Sequence, residues 1–272
     1  MPRLLGVFCL FWAMFFSATD AAFAEACTFG QAGYDSIGEL RLTLSAEEGG
    51  SIYVRTIKTP QEVYRFEVVE QRGVKYLYRT DKGVNDTATH FAFFDENLVA
   101  TSLNSASPAP AYIFITAYPA FGETMFQLKR CKLKGSTVSV SIPEQPAISV
   151  SACPFLRAVY SNLGDGSLTI RSEKDEEFFA DMKVIIKGDR NPERPYTFGF
   201  TNGIGTTYLQ SMDDNGKDSS QYMFMDESFL LTGISSKNDP APAYFFLTSM
   251  PHVPASMFRL TECRADTPKS AQ

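Results

Sequence analysis

Pro108-Ala109-Pro110-Ala111-Tyr112-Ile113-Phe114-Ile115 returns 132 residues later as Pro240-Ala241-Pro242-Ala243-Tyr244-Phe245-Phe246-Leu247. Alternate prolines fix φ and remove two backbone donors, which favours an extended segment at the start or edge of a strand, or an exposed recognition surface. The apolar residues that follow do not alternate with polar ones. An antiparallel strand with one wet face should alternate, so these two strands are expected to be covered on both faces.

Outward from this motif the likeness continues. Met125-Phe126 and Cys131 return as Met257-Phe258 and Cys263, and Phe93-Phe94-Asp95-Glu96 returns as Phe224-Met225-Asp226-Glu227. Tyr76-Leu77 matches Tyr208-Leu209, Tyr64-Arg65-Phe66 matches Tyr196-Thr197-Phe198, and Leu42-Thr43-Leu44 matches Leu168-Thr169-Ile170. Ala26-Cys27-Thr28-Phe29 opens the first copy and Ala152-Cys153-Pro154-Phe155 the second. The order is kept throughout, the offset drifts only where loops would absorb it, and the main gain of the second copy is in charged or Pro-rich patches before Tyr196. A period of about 130 residues is domain-sized, too long for a solenoid unit.

Within a copy the pattern is β. Leu40, Leu42 and Leu44 share one face of Glu39 to Ser45, and Ile52 to Ile57 and Val63 to Val69 are β-branched and aromatic. Val74 to Tyr78, Thr89 to Phe94, Leu98 to Leu103, Ala111 to Tyr118 and Met125 to Cys131 complete about eight expected strands. Glu48-Gly49-Gly50, Gln71-Arg72-Gly73, Asp81-Lys82-Gly83 and Asp95-Glu96-Asn97 supply turn chemistry between them. Asp189-Arg190-Asn191-Pro192, Asn202-Gly203 and Asn215-Gly216 do so in the second copy. No window carries a helical stripe of useful length, although Phe155 to Asn162 has room for one or two helical turns. The expected fold is all-β: a tandem duplication of a small antiparallel β-barrel or sandwich, each copy closed by a disulfide. The non-alternating strands lead to a further expectation. Ile113 and Ile115, or their neighbours, should meet the Phe245 and Leu247 region across a pseudo-twofold interface, with a ligand groove or a partner as the other possible covers.

The first 24 residues read as a signal peptide. Arg3 gives a positive start, Leu4 to Phe16 is apolar and uncharged, and Ala22-Phe23-Ala24 is a small-x-small cleavage site. Its removal takes away Trp12, the one tryptophan, and Cys9, leaving four of the five cysteines. Four cysteines in an exported chain read as two disulfides and allow three connectivities. Only Cys27–Cys131 with Cys153–Cys263 makes the copies equivalent; Cys27–Cys263 with Cys131–Cys153 would place both in one ring. The expected organisation is a signal peptide at 1–24, domains at 25–134 and 152–264, a linker at 135–151 around Ile142-Pro143-Glu144-Gln145-Pro146, and a polar tail at 265–272. Thr137 to Ile142 alternates and is a candidate edge strand.

The net charge is −6, without the basic footprint of a nucleic-acid binder. His90 and His252 are the only histidines and do not occupy matching repeat positions. No GxSxG elbow is present. The pairs Asp95-Glu96 and Asp226-Glu227 are candidate acid–base carboxylates, but adjacent residues on an extended chain point apart, and both pairs lie where a hairpin turn is expected. Asp213-Asp214-Asn215-Gly216 lacks the alternating ligand spacing of a calcium loop. Met212, Met223, Met225, Met250 and Met257, with His252, offer the soft ligands of a Cu(I) site, with core filling as the plainer use. Asn85-Asp86-Thr87 is a glycosylation sequon if the export route is eukaryotic. These features imply no cofactor. The functional expectation is an exported, periplasmic or secreted, non-catalytic tandem β-domain protein. It would bind a protein or cell-envelope component, with no nucleic-acid partner and no transmembrane anchor after cleavage. The alternatives are a carboxylate-based hydrolase of envelope or extracellular polymer, and a carrier of a small apolar ligand.

Overall fold

The computed structural model describes residues 27–38, 41–46, 51–56, 61–71, 74–80, 89–101, 107–118, 122–133, 135–145, 148, 152–163, 167–177, 179–188, 196–203, 206–211, 219–248 and 255–265. The proposed leader, Asn85, Met212, Met250, His252 and the turns at 48–50, 81–83, 189–192 and 215–216 lie outside them. The chain divides into two compact units with the main boundary between Glu144 and Gln145.

The first unit is a meander. Its strands are β1 (Ala32–Ser36), β2 (Leu42–Ala46), β3 (Ile52–Thr56), β4 (Val63–Gln71), β5 (Val74–Arg79), β6 (Thr89–Phe94), β7 (Ala100–Thr101), β8 (Tyr112–Tyr118), β9 (Gly122–Leu133) and β10 (Ser136–Ser139). Each main strand pairs antiparallel with the next, and β9 returns to pair with β1, so eight strands close on themselves. Closure removes the open edges that would otherwise template aggregation. The second unit repeats the path with β11 (Ala158–Asn162), β12 (Leu168–Lys174), β13 (Met182–Gly188), β14 (Tyr196–Gly203), β15 (Thr206–Ser211), β16 (Ser219–Met225), β17 (Leu231–Thr232), β18 (Tyr244–Leu247) and β19 (Ser256–Cys263). Here β19 pairs with β11, and β15 with β16, to close the ring.

The two-residue period of the pleat fills each barrel. In β2 the residues Leu42, Leu44 and Ala46 are buried while Thr43 and Ser45 are half-exposed. Ile52, Val54, Phe66, Leu77, Phe93, Ile113, Ile115, Phe126 and Leu128 complete one interior with Tyr34 and Phe29. Ile170, Val184, Ile186, Phe198, Phe200, Leu209, Phe224, Phe245, Leu247, Phe258 and Leu260 form its counterpart with Tyr160 and Phe155. The inward residues named for the interface are corrected here. Ile113 and Ile115 belong to the first interior and Phe245 and Leu247 to the second. The opposite pleat positions, Tyr112, Phe114, Tyr244 and Phe246, form the other face of these strands and are also buried.

Three elements differ from the sequence expectation. Ala32–Ser36 was not expected as a strand, because Gly33, Asp35 and Ser36 have low β propensity. It is held by long-range pairing to β2 and β9, with a register shift between Gly33 and Tyr34. Of the expected strand Leu98 to Leu103, residues 98–101 are described: Ala100–Thr101 is a short strand beside β6, and Leu98 is a fully buried residue at φ 61°. The matching Phe229 adopts φ 60°. Phe155 to Asn162 is one 3₁₀ turn, Phe155–Arg157, followed by β11 rather than two helical turns. The candidate edge strand near Thr137 forms as β10, Ser136–Ser139, which pairs with β9 beyond the end of β8.

Candidate binding surfaces

The repeated Pro-Ala-Pro-Ala-Tyr motif anchors the opening segment of each copy. Thr28 bridges to Pro108, and Pro154 to Pro240. The Ala109 N–H donates to the Cys27 carbonyl at 2.8 Å and the Ala241 N–H to the Cys153 carbonyl at 2.7 Å. The Leu128 N–H donates to the Ala111 carbonyl, and the Leu260 N–H to that of Ala243. The alanines thus carry these bonds, while the prolines between them have no N–H to leave unsatisfied. Phe29 packs edge-on against Tyr34 and Phe93, and Phe155 packs against Tyr160, Phe200 and Phe224. One end of each barrel is therefore plugged by its own opening aromatic.

The cysteines complete the plug. Cys27 bonds Cys131 and Cys153 bonds Cys263, with Cα–Cα distances of 5.9 and 5.7 Å. The pairing is the one that the repeat requires. Two such bonds accord with an oxidising, non-cytoplasmic compartment. No helix among the described residues is long and apolar enough to cross a membrane.

The copies differ at one buried hydroxyl. The Tyr160 hydroxyl donates to the Pro242 carbonyl at 2.9 Å, tying the motif to β11. Its counterpart Tyr34 is fully buried and its hydroxyl has no hydrogen-bond partner. Tyr160→Phe should cost about 1–2 kcal/mol, because it strands a buried carbonyl. Tyr34→Phe should be neutral or stabilising, because it removes an unpaired polar atom. Urea denaturation of the two variants checks this, and equal costs would contradict it.

Burial also pushes the pKa of both phenols well above the ordinary value. In the unfolded chain they ionise near pH 10 (about the model-peptide value), whereas in the barrels they keep their protons to higher pH. The folded state therefore binds more protons across that window. Stability is complete below about pH 10 and falls as the pH rises through it. The Tyr34→Phe/Tyr160→Phe double variant should show a flatter decline in urea unfolding from about pH 8 to pH 11.

The candidate acids are placed in turns. The Asp226 carboxylate accepts the N–H groups of Ser228 and Leu230 at 2.8 and 3.0 Å, so it builds the β16–β17 turn. Glu227 is exposed beside it; Asp95 and Glu96 occupy the matching turn of the first copy. His90 lies on β6, paired in register with Tyr76. Met223, Met225 and Met257 are buried on the outer pleat face of their strands, at most 5% exposed. Among the described residues no three His, Cys, Asp or Glu side chains converge as metal ligands.

Two surfaces stand out, and they are not copies of each other. On the first barrel, the guanidinium groups of Arg55 and Arg65 approach the Tyr53 ring, at 5.7 and 5.9 Å from its centre. On the opposite, inward pleat face Arg79 sits 4.9 Å from the Tyr64 ring, which packs against the core. The register places Ile185, Lys187 and Thr197 where Tyr53, Arg55 and Arg65 stand, so this cation–aromatic face is peculiar to the first copy.

The other surface is the plugged end of the second barrel. In an up-and-down barrel successive connections alternate between ends. The β12–β13 and β16–β18 connections therefore share the end that carries Cys153–Cys263. The first connection contains the 3₁₀ turn Phe179–Asp181, in which Phe179 is 39% exposed. The second carries Leu230 and Leu231, each 42% exposed. Lys183 pairs with Asp175 at 3.3 Å, and Lys237 reaches from the second connection to Asp181 in the first at 3.7 Å. Arg264 donates to the carbonyls of Leu156 and Ser172, fixing the chain just beyond the disulfide. Sequence reasoning noted the longer second copy but not this surface, because only closure of the barrel brings the two connections to one end. No family model, curated protein or solved structure matches the chain.

Proposed function

We propose that this is an exported binding protein, periplasmic or secreted, that acts through its outer surface on a protein or cell-envelope component without catalysing a reaction. The observation that carries the reading is the state of the interiors: each barrel is filled by its own aliphatic and aromatic side chains and plugged by Phe29 or Phe155. Functional contact then falls to the outside. The use of Asp226 in turn building supports the same reading, since a carboxylate holding two backbone N–H groups is committed to structure. The exported location rests on the leader-like 1–24 segment and on the two disulfides.

Immobilised protein lacking residues 1–24, challenged with native envelope extract at moderate salt, should retain one component reproducibly. Protein unfolded by reduction and denaturant should not retain it. Release of soluble fragments from envelope polymer, abolished by Glu96→Gln or Glu227→Gln, would instead establish a hydrolase. Retention of nothing would remove the binding reading.

A further inference from the structure

We propose that the plugged end of the second barrel is a docking surface for a basic protein segment, with Phe179, Leu230 and Leu231 as its apolar contacts. The inference rests on the binding reading above and gives it a place and a partner chemistry.

The first support is exposure. Among the described residues, four large hydrophobics stand out into solvent, and three of them are these. Topology brings both of their connections to one end of the barrel, and the Asp181–Lys237 pair joins those connections directly. A cluster of exposed aromatic and aliphatic side chains on a closed barrel is a mark of an interaction site.

Folding does not require the patch. The first copy closes the same eight-strand ring with a shorter β2–β3 connection, Glu47 to Ser51, which has no aromatic residue. At the second connection it has Val99 and Ala100 where the second copy has Leu230 and Leu231. The ring therefore closes without an aromatic residue at the first connection and with smaller side chains than Leu230 and Leu231 at the second.

The patch is also held in shape before any partner arrives. Asp226 receives the N–H groups of Ser228 and Leu230, and Phe229 stacks on Tyr244 with ring centres 4.8 Å apart. Asp239 receives the N–H groups of Ser235 and Ser236. The Asp175 N–H donates to the Asp181 carbonyl, closing the base of the first connection. Prior ordering lowers the entropy lost on binding.

Charge selects the partner. Asp175, Glu176, Glu177, Asp181, Asp226, Glu227 and Asp239 lie on these two connections, against Lys174, Lys183 and Lys237 and, beside the disulfide, Arg157 and Arg264. Those lysines are already engaged by Glu176, Asp175 and Asp181 respectively. The remaining field is negative. It attracts a cationic segment carrying apolar side chains and repels an anionic lipid surface.

Photo-crosslinking in the exporting host tests this on the whole protein. Leu231→p-benzoylphenylalanine should crosslink to a protein, and the crosslinked peptide should be net basic. Tyr53→p-benzoylphenylalanine, on the first barrel, should not give that product. Adding Glu177→Lys and Glu227→Lys should lower the yield at least fivefold, and so should Phe179→Ser with Leu230→Ser. All four altered side chains are exposed or flank exposed turns, and unchanged urea midpoints will show that the variants fold. A neutral or acidic crosslinked peptide, a lipid adduct, no product, or a yield indifferent to these substitutions would overturn the proposal. If the immobilised protein still retains its envelope component after Phe179→Ser/Leu230→Ser, the docking surface is wrong and the binding function stands. If the unaltered protein retains nothing, the binding function itself fails.

Discussion

Ile115→Asp will prevent the first barrel from folding or cost it about 4 kcal/mol or more, because the carboxylate would enter a closed apolar interior with nothing to pair with. Ile115 is fully buried, on β8, and its inward neighbours include Ile113 on the same strand and Phe91 across on β6. The charge would have no solvent contact in place, because Ile115 is fully buried within the ring closed by β1–β9. The carboxyl would escape in part by staying protonated, so the loss should be smaller at acidic pH. Ile115→Val supplies the scale for simple loss of a methyl, about 1 kcal/mol. Val68→Asp, at a position 39% exposed, supplies the scale for a surface charge, within about 0.5 kcal/mol. Urea midpoints and amide exchange in the first barrel read all three. A cost for Ile115→Asp close to that for Val68→Asp would mean that β8 does not face a closed interior.

Removing the second disulfide as a pair, Cys153→Ser with Cys263→Ser, should destabilise the second barrel by about 2–5 kcal/mol. The crosslink spans 110 residues, so in the chain-entropy picture it restricts a large part of the unfolded ensemble. It also joins the plug to the last strand at the point where β19 pairs with β11. Replacing both cysteines avoids leaving a reactive thiol. Amide exchange should accelerate first at Phe155–Arg157 and along β11 and β19. The Cys27–Cys131 bond should remain intact on non-reducing peptide mapping. A loss below about 1 kcal/mol would show that the β11–β19 ladder and the Arg264 contacts hold the ends without the bond.

What the sequence determined by itself was everything carried by local period and by repetition. The alternation in Leu42-Thr43-Leu44 identifies a strand and its inward face, because the pleat has a period of two. The Asp-Glu turn after β6 and after β16 is visible because its carboxylate chemistry is local to a few residues. The disulfide pairing was legible because duplication supplies a symmetry that a single copy lacks. Asn85 and His252 lie outside the described residues and stay at the level of the sequence.

Tertiary structure decided the rest. Ala32–Ser36 has no strand signature of its own; β2 on one side and β9 on the other provide the partners that make it a strand. Leu98 looked like the start of a strand because it is apolar, yet burial holds it in a left-handed turn instead. Phe114 and Ile115 are both apolar, so composition could not assign the interior, whereas ring closure places Ile115 inside and Phe114 on the opposite face. The proposed docking surface follows the same rule. Phe179 and Leu231 are about fifty residues apart in sequence, and an antiparallel barrel brings them to one end only because its connections alternate between its two ends.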